Sequence, residues 1–90
     1  MQITDFEKVR ADKIWYDIKS KKPILFEARQ VFLQPNKVYF LINAKGVIAN
    51  WYKVNVTKAL DIPMGYRLLA IDSKNKSLIA KVMKSDKIMF

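Results

Sequence analysis

Residues Val38 to Leu60 read VYFLINAKGVIANWYKVNVTKAL, and the fold turns on how this stretch is parsed. Val38 to Ile42 is an unbroken apolar run of strand length, and Asn43-Ala44-Lys45-Gly46 follows it as a turn. Gly46 suits the left-handed position that closes such a turn, so the chain is expected to return from Val47 as the second arm of a hairpin. That return is long, reaching Leu60, and a strand of this length in a small domain usually bends across two sheets or around a barrel corner. Side chains alternate along it, placing Trp51, Lys53, Asn55 and Thr57 on one face and Tyr52, Val54 and Val56 on the other. The first face is polar and basic and carries an indole, a mixture that suits nucleic acid.

Upstream, Ile24 to Leu33 reads as a strand whose alternation slips near Gln30 to Phe32, the mark of a bulge or bend. Gln34-Pro35-Asn36-Lys37 then turns the chain. Residues 4–20 form the expected helix. Thr4 and Glu7 have the spacing of a capping box, and Ala11, Ile14, Trp15 and Ile18 recur at i, i+3, i+4 and i+7. Downstream, Asp61-Ile62-Pro63-Met64-Gly65 interrupts the pattern. Tyr66 to Ile71 and Leu78 to Met83 read as a second hairpin across a polar turn, and residues 84–90 form a tail that docks or frays. Residues 1–90 are expected to make a single α+β domain, with one N-terminal helix and residues 24–83 in a small, highly curved five-stranded sheet or barrel.

Composition narrows the chemistry. Ninety residues bury only about 60–65% of the surface their unfolded chain exposes, so the core must be compact. The chain has no cysteine and no histidine, which removes thiolate nucleophiles, disulfides, the common zinc ligands and the side chain that titrates near neutrality. There is no phosphate loop and no dinucleotide fingerprint. A non-enzymatic role without metal or cofactor is expected. No apolar run approaches the ~20 residues that span a bilayer, so a cytoplasmic protein that does not enter a membrane is expected.

The net charge of +9 is unevenly placed. Residues 1–36 hold seven Lys or Arg against five acids, and residues 37–90 hold ten against three. A polyanion fits that second part, RNA or single-stranded DNA first, with Lys45, Lys53, Lys58 and Arg67 neutralising phosphate, Trp51 stacking a base and Asn55 beside it. Two other readings stand. Trp51 packs beneath the helix or tail and the lysines only keep the sheet soluble. Alternatively, the chain is an accessory or inhibitor module that docks on a larger nucleic-acid-processing protein through Tyr52 and Ile88-Met89-Phe90.

A second group, Lys22, Glu27 and Arg29, lies where the expected helix meets the first strand. The segment ADKIWYDIKSKKPILFEARQ resembles the helix-turn-strand entry of the ASCH domains, a branch of the PUA-like fold. Lys22 falls near the family's turn lysine, and Glu27-Ala28-Arg29 matches its Glu-x-Arg. Lys21 replaces the family's glycine, Pro23 its threonine, and the interval from Ser20 to Glu27 is one residue longer. The resemblance implies a PUA-like β-barrel binding RNA or a nucleobase-like ligand in a cleft beside Lys22, Glu27 and Arg29, and for some members a hydrolase. Gly65-Tyr66-Arg67-Leu68-Leu69, with its polar turn and final apolar segment, also resembles the closing hairpin of RelE-type ribosome-dependent mRNA interferases, which would make Arg67 and Lys81 candidates for RNA cleavage.

Overall fold

The computed structural model describes residues 1–9, 21–27 and 29–90. Among them are seven strands and one helix: β1 (Glu7–Val9), β2 (Ile24–Phe26), β3 (Gln30–Leu33), β4 (Lys37–Ile42), β5 (Ile48–Tyr52), β6 (Lys58–Asp61), β7 (Arg67–Asp72) and α1 (Lys76–Met83). Five strands form one sheet in the order β1-β2-β7-β4-β5, and β3 pairs with β6 in a second.

The run that begins at Val38 is continuous because β4 is buried on both faces. It lies between β7 and β5, pairing with β7 from Lys37↔Asp72 to Ile42↔Arg67. Its alternate side chains feed two cores. Tyr39 and Leu41 join Ile24, Phe26, Val31, Leu33 and Leu68 between the two sheets. Val38, Phe40 and Ile42 join Leu69, Ile71, Val82 and Ile88 on the other face. Sandwiched this way, β4 is apolar throughout Val38 to Ile42, with buried Lys37 at its start, whereas a strand with one wet face alternates. The domain therefore has three layers, with the five-stranded sheet in the middle.

The β4–β5 turn has the expected form. Gly46 has φ of 84°, its N–H donates to the Asn43 carbonyl at 3.0 Å, and the Asn43 side chain accepts from Lys45 N and Val47 N at 2.9 and 3.0 Å. The long return divides into β5 in the large sheet and β6 in the small one, with Lys53 to Thr57 crossing between them. The strand expected over Ile24 to Leu33 divides in the same way. It leaves the large sheet after Phe26 and enters the small one at Gln30, so the slip in its alternation marks a change of sheet.

Three expectations are corrected. The architecture is not a closed barrel: among the described residues β1 and β5 are the two edges of an open five-stranded sheet, because β6 pairs with β3 instead of prolonging β5. There is no helix start at Thr4. Glu7–Val9 is a strand running parallel to β2, with Glu7 opposite Ile24 and Glu7 N donating to the Pro23 carbonyl at 2.8 Å. A capping box is a local preference of about 1 kcal/mol, and strand pairing combined with the packing of Val9 on the core outweighs it. The remainder of that expected helix, residues 10–20 with Ala11, Ile14, Trp15 and Ile18, lies outside the described residues.

The third correction is at the C-terminal end, where Lys76–Met83 is a helix and not the last strand. Leu78, Ile79 and Val82 share the face that packs on the sheet, a spacing with helical and not alternating period. Asn75 caps the helix, its side chain accepting from Leu78 N at 3.4 Å. Asn75→Ala is expected to lower stability by about 1 kcal/mol, which thermal unfolding would register as a drop of ~4–8 °C. An unchanged midpoint would show that sheet packing alone holds α1.

The tail docks. Ile88 is buried, its N–H donates to the Gly46 carbonyl at 2.7 Å, and Met89 bridges to Gln2 in parallel with Ile3 N donating to the Met89 carbonyl at 2.8 Å.

A candidate nucleic-acid interface

The outward face of the β5–β6 segment is set by what points inward. Tyr52 and Val54 pack against the core between the sheets, which leaves Trp51, Lys53 and Asn55 on the solvent side. Beyond them, Thr57 Oγ1 donates to Gln34 Oε1 at 3.3 Å, and the Gln34 N–H donates to the buried Tyr39 hydroxyl at 2.7 Å. The crossing segment is thus tied to the β3–β4 turn, and Lys58 opens β6 opposite Leu33. Trp51, Lys53 and Lys58 line one open groove of about 340 Å³ whose apolar floor includes Leu33, Val54 and Leu60. Trp51 is 51% exposed, which decides between the two readings of this residue: it is not a core tryptophan. Asn55 is exposed on the crossing segment.

Lys45 and Arg67 belong to a different groove, of about 650 Å³, between the β4–β5 turn, the start of β7 and the tail. Arg67 Nε lies 3.6 Å from Glu27 Oε1, and its guanidinium carbon sits 5.8 Å from the centre of the Phe90 ring. Glu27 Oε2 also meets Lys8 Nζ at 3.2 Å. The carboxylate of Glu27 is therefore balanced twice, and each such surface pair contributes at most about 1 kcal/mol. Lys87 lines this groove as well. Nothing in the sequence marks Lys87, because only the docking of the tail brings it 42 positions back to Lys45.

The expected cleft of Lys22, Glu27 and Arg29 does not assemble. Glu27 and Arg29 share a groove with Asp61, Ile62 and Tyr66, while Lys22 lines another beside Ile3 and Pro23 and pairs with Asp5 at 3.4 Å. Pro23 is buried and leads straight into β2, so the lysine before it points away along the N-terminal segment.

No family model, curated protein or solved structure matches this chain.

The functional reading therefore rests on the geometry alone. The described residues include no cluster of three acidic side chains able to hold a metal ion, and no described helix is long and apolar enough to cross a membrane. The hairpin that resembled the mRNA interferases is β7 followed by α1, which puts Lys81 on the exposed side of a helix and away from Arg67's groove. Of the anchors expected for a protein partner, Ile88 is buried, Tyr52 and Phe90 are half-buried and Met89 is exposed. What the surface does offer is a half-exposed indole in one groove with two ammonium groups. Among the described residues, neither Lys53 nor Lys58 is engaged in an ion pair.

Proposed function

We propose that this protein binds single-stranded nucleic acid, RNA or DNA, without catalysing a reaction on it. The observation that carries the reading is the groove in which half-exposed Trp51 lies with Lys53 and Lys58. An unpaired base has two π-faces and one attached phosphate per nucleotide. A strand laid along this groove stacks a base on Trp51 while the two ammonium groups take the flanking phosphates. Stacking is indifferent to base identity, so little sequence preference is expected. The surplus of ten cations over three acids in residues 37–90 draws the polyanion in and accelerates its encounter.

The test is titration of a fluorescein-labelled dodecamer, rU12 or dT12, followed by anisotropy at several salt concentrations. Neutralisation of two phosphates by Lys53 and Lys58 gives a slope of log affinity against log salt of about −1.4 for a single strand, and phosphates reaching Lys45 and Arg67 as well steepen it to about −3. Duplex of the same length is expected to bind more weakly, since its bases are not free to stack. Absence of binding at low salt, or an affinity that does not respond to salt, would refute the proposal.

A further inference from the structure

We infer that the groove holding Lys45, Arg67 and Lys87 is a second phosphate-binding site for the same single strand, and that one strand spans both grooves along β5. This rests on the single-strand-binding reading and adds to it a footprint and a minimum ligand length.

Backbone geometry lays Lys87 over the turn that carries Lys45. Ile88 N donates to the Gly46 carbonyl at 2.7 Å, which pins the tail across the β4–β5 turn. A Cβ built on Gly46 would come within 3.1 Å of Lys87 Cγ, so the Lys87 stem lies directly over that turn, one residue from Lys45. Arg67 stands in the same groove, its Nε turned toward Glu27 and its plane near Phe90. A guanidinium has five N–H donors in a fixed fork, so this arrangement leaves its terminal nitrogens for a phosphate. Glu27 is the one carboxylate side chain among the lining residues, and Lys8 shares it from outside, so the groove carries a surplus of positive charge. Among the described residues, Lys45 and Lys87 have no ion-pair partner.

The spacing follows from the strand. Lys45 precedes β5 and Trp51 stands near its far end, six residues on. At about 3.3 Å per residue the two lie no more than about 20 Å apart. A stacked strand advances about 3.4 Å per nucleotide, so about six nucleotides cover the interval, and fewer when the strand is stretched. Shorter ligands reach one groove at a time. Longer ones engage both, and the second contact becomes intramolecular, which multiplies affinity without any new residue being involved.

The experiment is a length series, dT2, dT3, dT6, dT8 and dT12, titrated at fixed low salt against the wild type, Lys45→Gln/Lys87→Gln, Trp51→Ala, and a control pair, Lys74→Gln/Lys76→Gln, which removes the same charge outside both grooves. Circular dichroism confirms that each variant is folded. The expected result is a steep rise in wild-type affinity between dT3 and dT8. Lys45→Gln/Lys87→Gln should abolish that rise, costing dT12 at least about tenfold and costing dT2 and dT3, which still have the Trp51 groove, far less. Trp51→Ala should weaken every length. The inference is overturned if Lys45→Gln/Lys87→Gln binds dT12 as the wild type does, or if the control pair loses as much, because the effect would then be one of net charge. In those cases sensitivity to Trp51→Ala leaves the single-strand-binding reading standing. No binding at any length overturns both.

Discussion

Gly46→Ala is expected to lower stability by about 3 kcal/mol, an unusually large effect for the addition of one methyl group. Two costs combine. Gly46 has φ of 84°, a conformation that costs an L-residue about 1–2 kcal/mol. A Cβ there would also meet the Ile88 carbonyl oxygen at a separation that no real contact tolerates, and since that atom is backbone the tail itself must shift. Shifting it loosens the Ile88 N–H bond to the Gly46 carbonyl and exposes part of a side chain whose full burial contributes about 1.5–3 kcal/mol. Gly65→Ala is the comparison, because Gly65 has φ of 82° but open space where its Cβ would sit. It should lose only the conformational part, about 1–2 kcal/mol. Urea unfolding measures both, and hydrogen exchange at the Ile3 and Ile88 amides, which are bonded through the docked tail, reports its release. Equal losses for the two variants would show that the tail yields at no cost.

Trp51→Ala is expected to weaken binding of a single-stranded dodecamer by about 5- to 150-fold, the range corresponding to the 1–3 kcal/mol of one base stacked on an aromatic ring. Half of Trp51 is already in water, so its removal should cost less stability than the ~3–5 kcal/mol lost when a buried tryptophan is truncated, and circular dichroism should show the variant folded in the binding assay. A loss of affinity in folded protein is the diagnostic feature. Trp51→Phe keeps a flat face and should retain most of the affinity. Lys53→Gln should instead act through charge, lowering the salt slope by about 0.7 for the one phosphate it neutralises. If Trp51→Ala binds as tightly as the wild type at low salt, the stacking platform is not this residue.

The parts of the fold legible in the sequence are those decided by near neighbours along the chain. The Asn43–Gly46 turn is readable because a left-handed residue and a side chain folding back on its own backbone are properties of four consecutive residues. The alternation holds as far as inward Tyr52 and Val54, but β5 ends at Tyr52 and the period of two fails on the crossing, where Val56, expected on the inward face, is exposed. The N-terminal start and the C-terminal helix depart from expectation for a shared reason. At Thr4 a local capping signal loses to strand pairing with β2, and at Leu78 to Met83 a short apolar segment is compatible with either period until the sheet beneath it is known. Eight residues hold too few repeats for periodicity to arbitrate.

The candidate site divides along the same line. Trp51, Lys53 and Lys58 are close in sequence and flank a single crossing of the chain, so their grouping is readable. Lys45, Arg67 and Lys87 come from a turn, the start of β7 and the tail, and their meeting depends on a sheet order that no local pattern encodes. Lys22 shows the converse, because proximity in sequence to Glu27 does not bring it into the same groove.

The sequence by itself determined the net charge, the residue types that are missing and the hairpin around Gly46, since each depends on composition or on contacts within a few residues, whereas the exposure of Trp51 was open until the fold placed it. Only the tertiary structure decided that β5 and β6 part into different sheets, that the sheet stays open, and that the tail lays Lys87 over the turn that carries Lys45. These depend on which strand edge each segment finds, and strand edges are chemically alike. The choice among them is made by how the two faces of β4 are filled, a property of the whole chain.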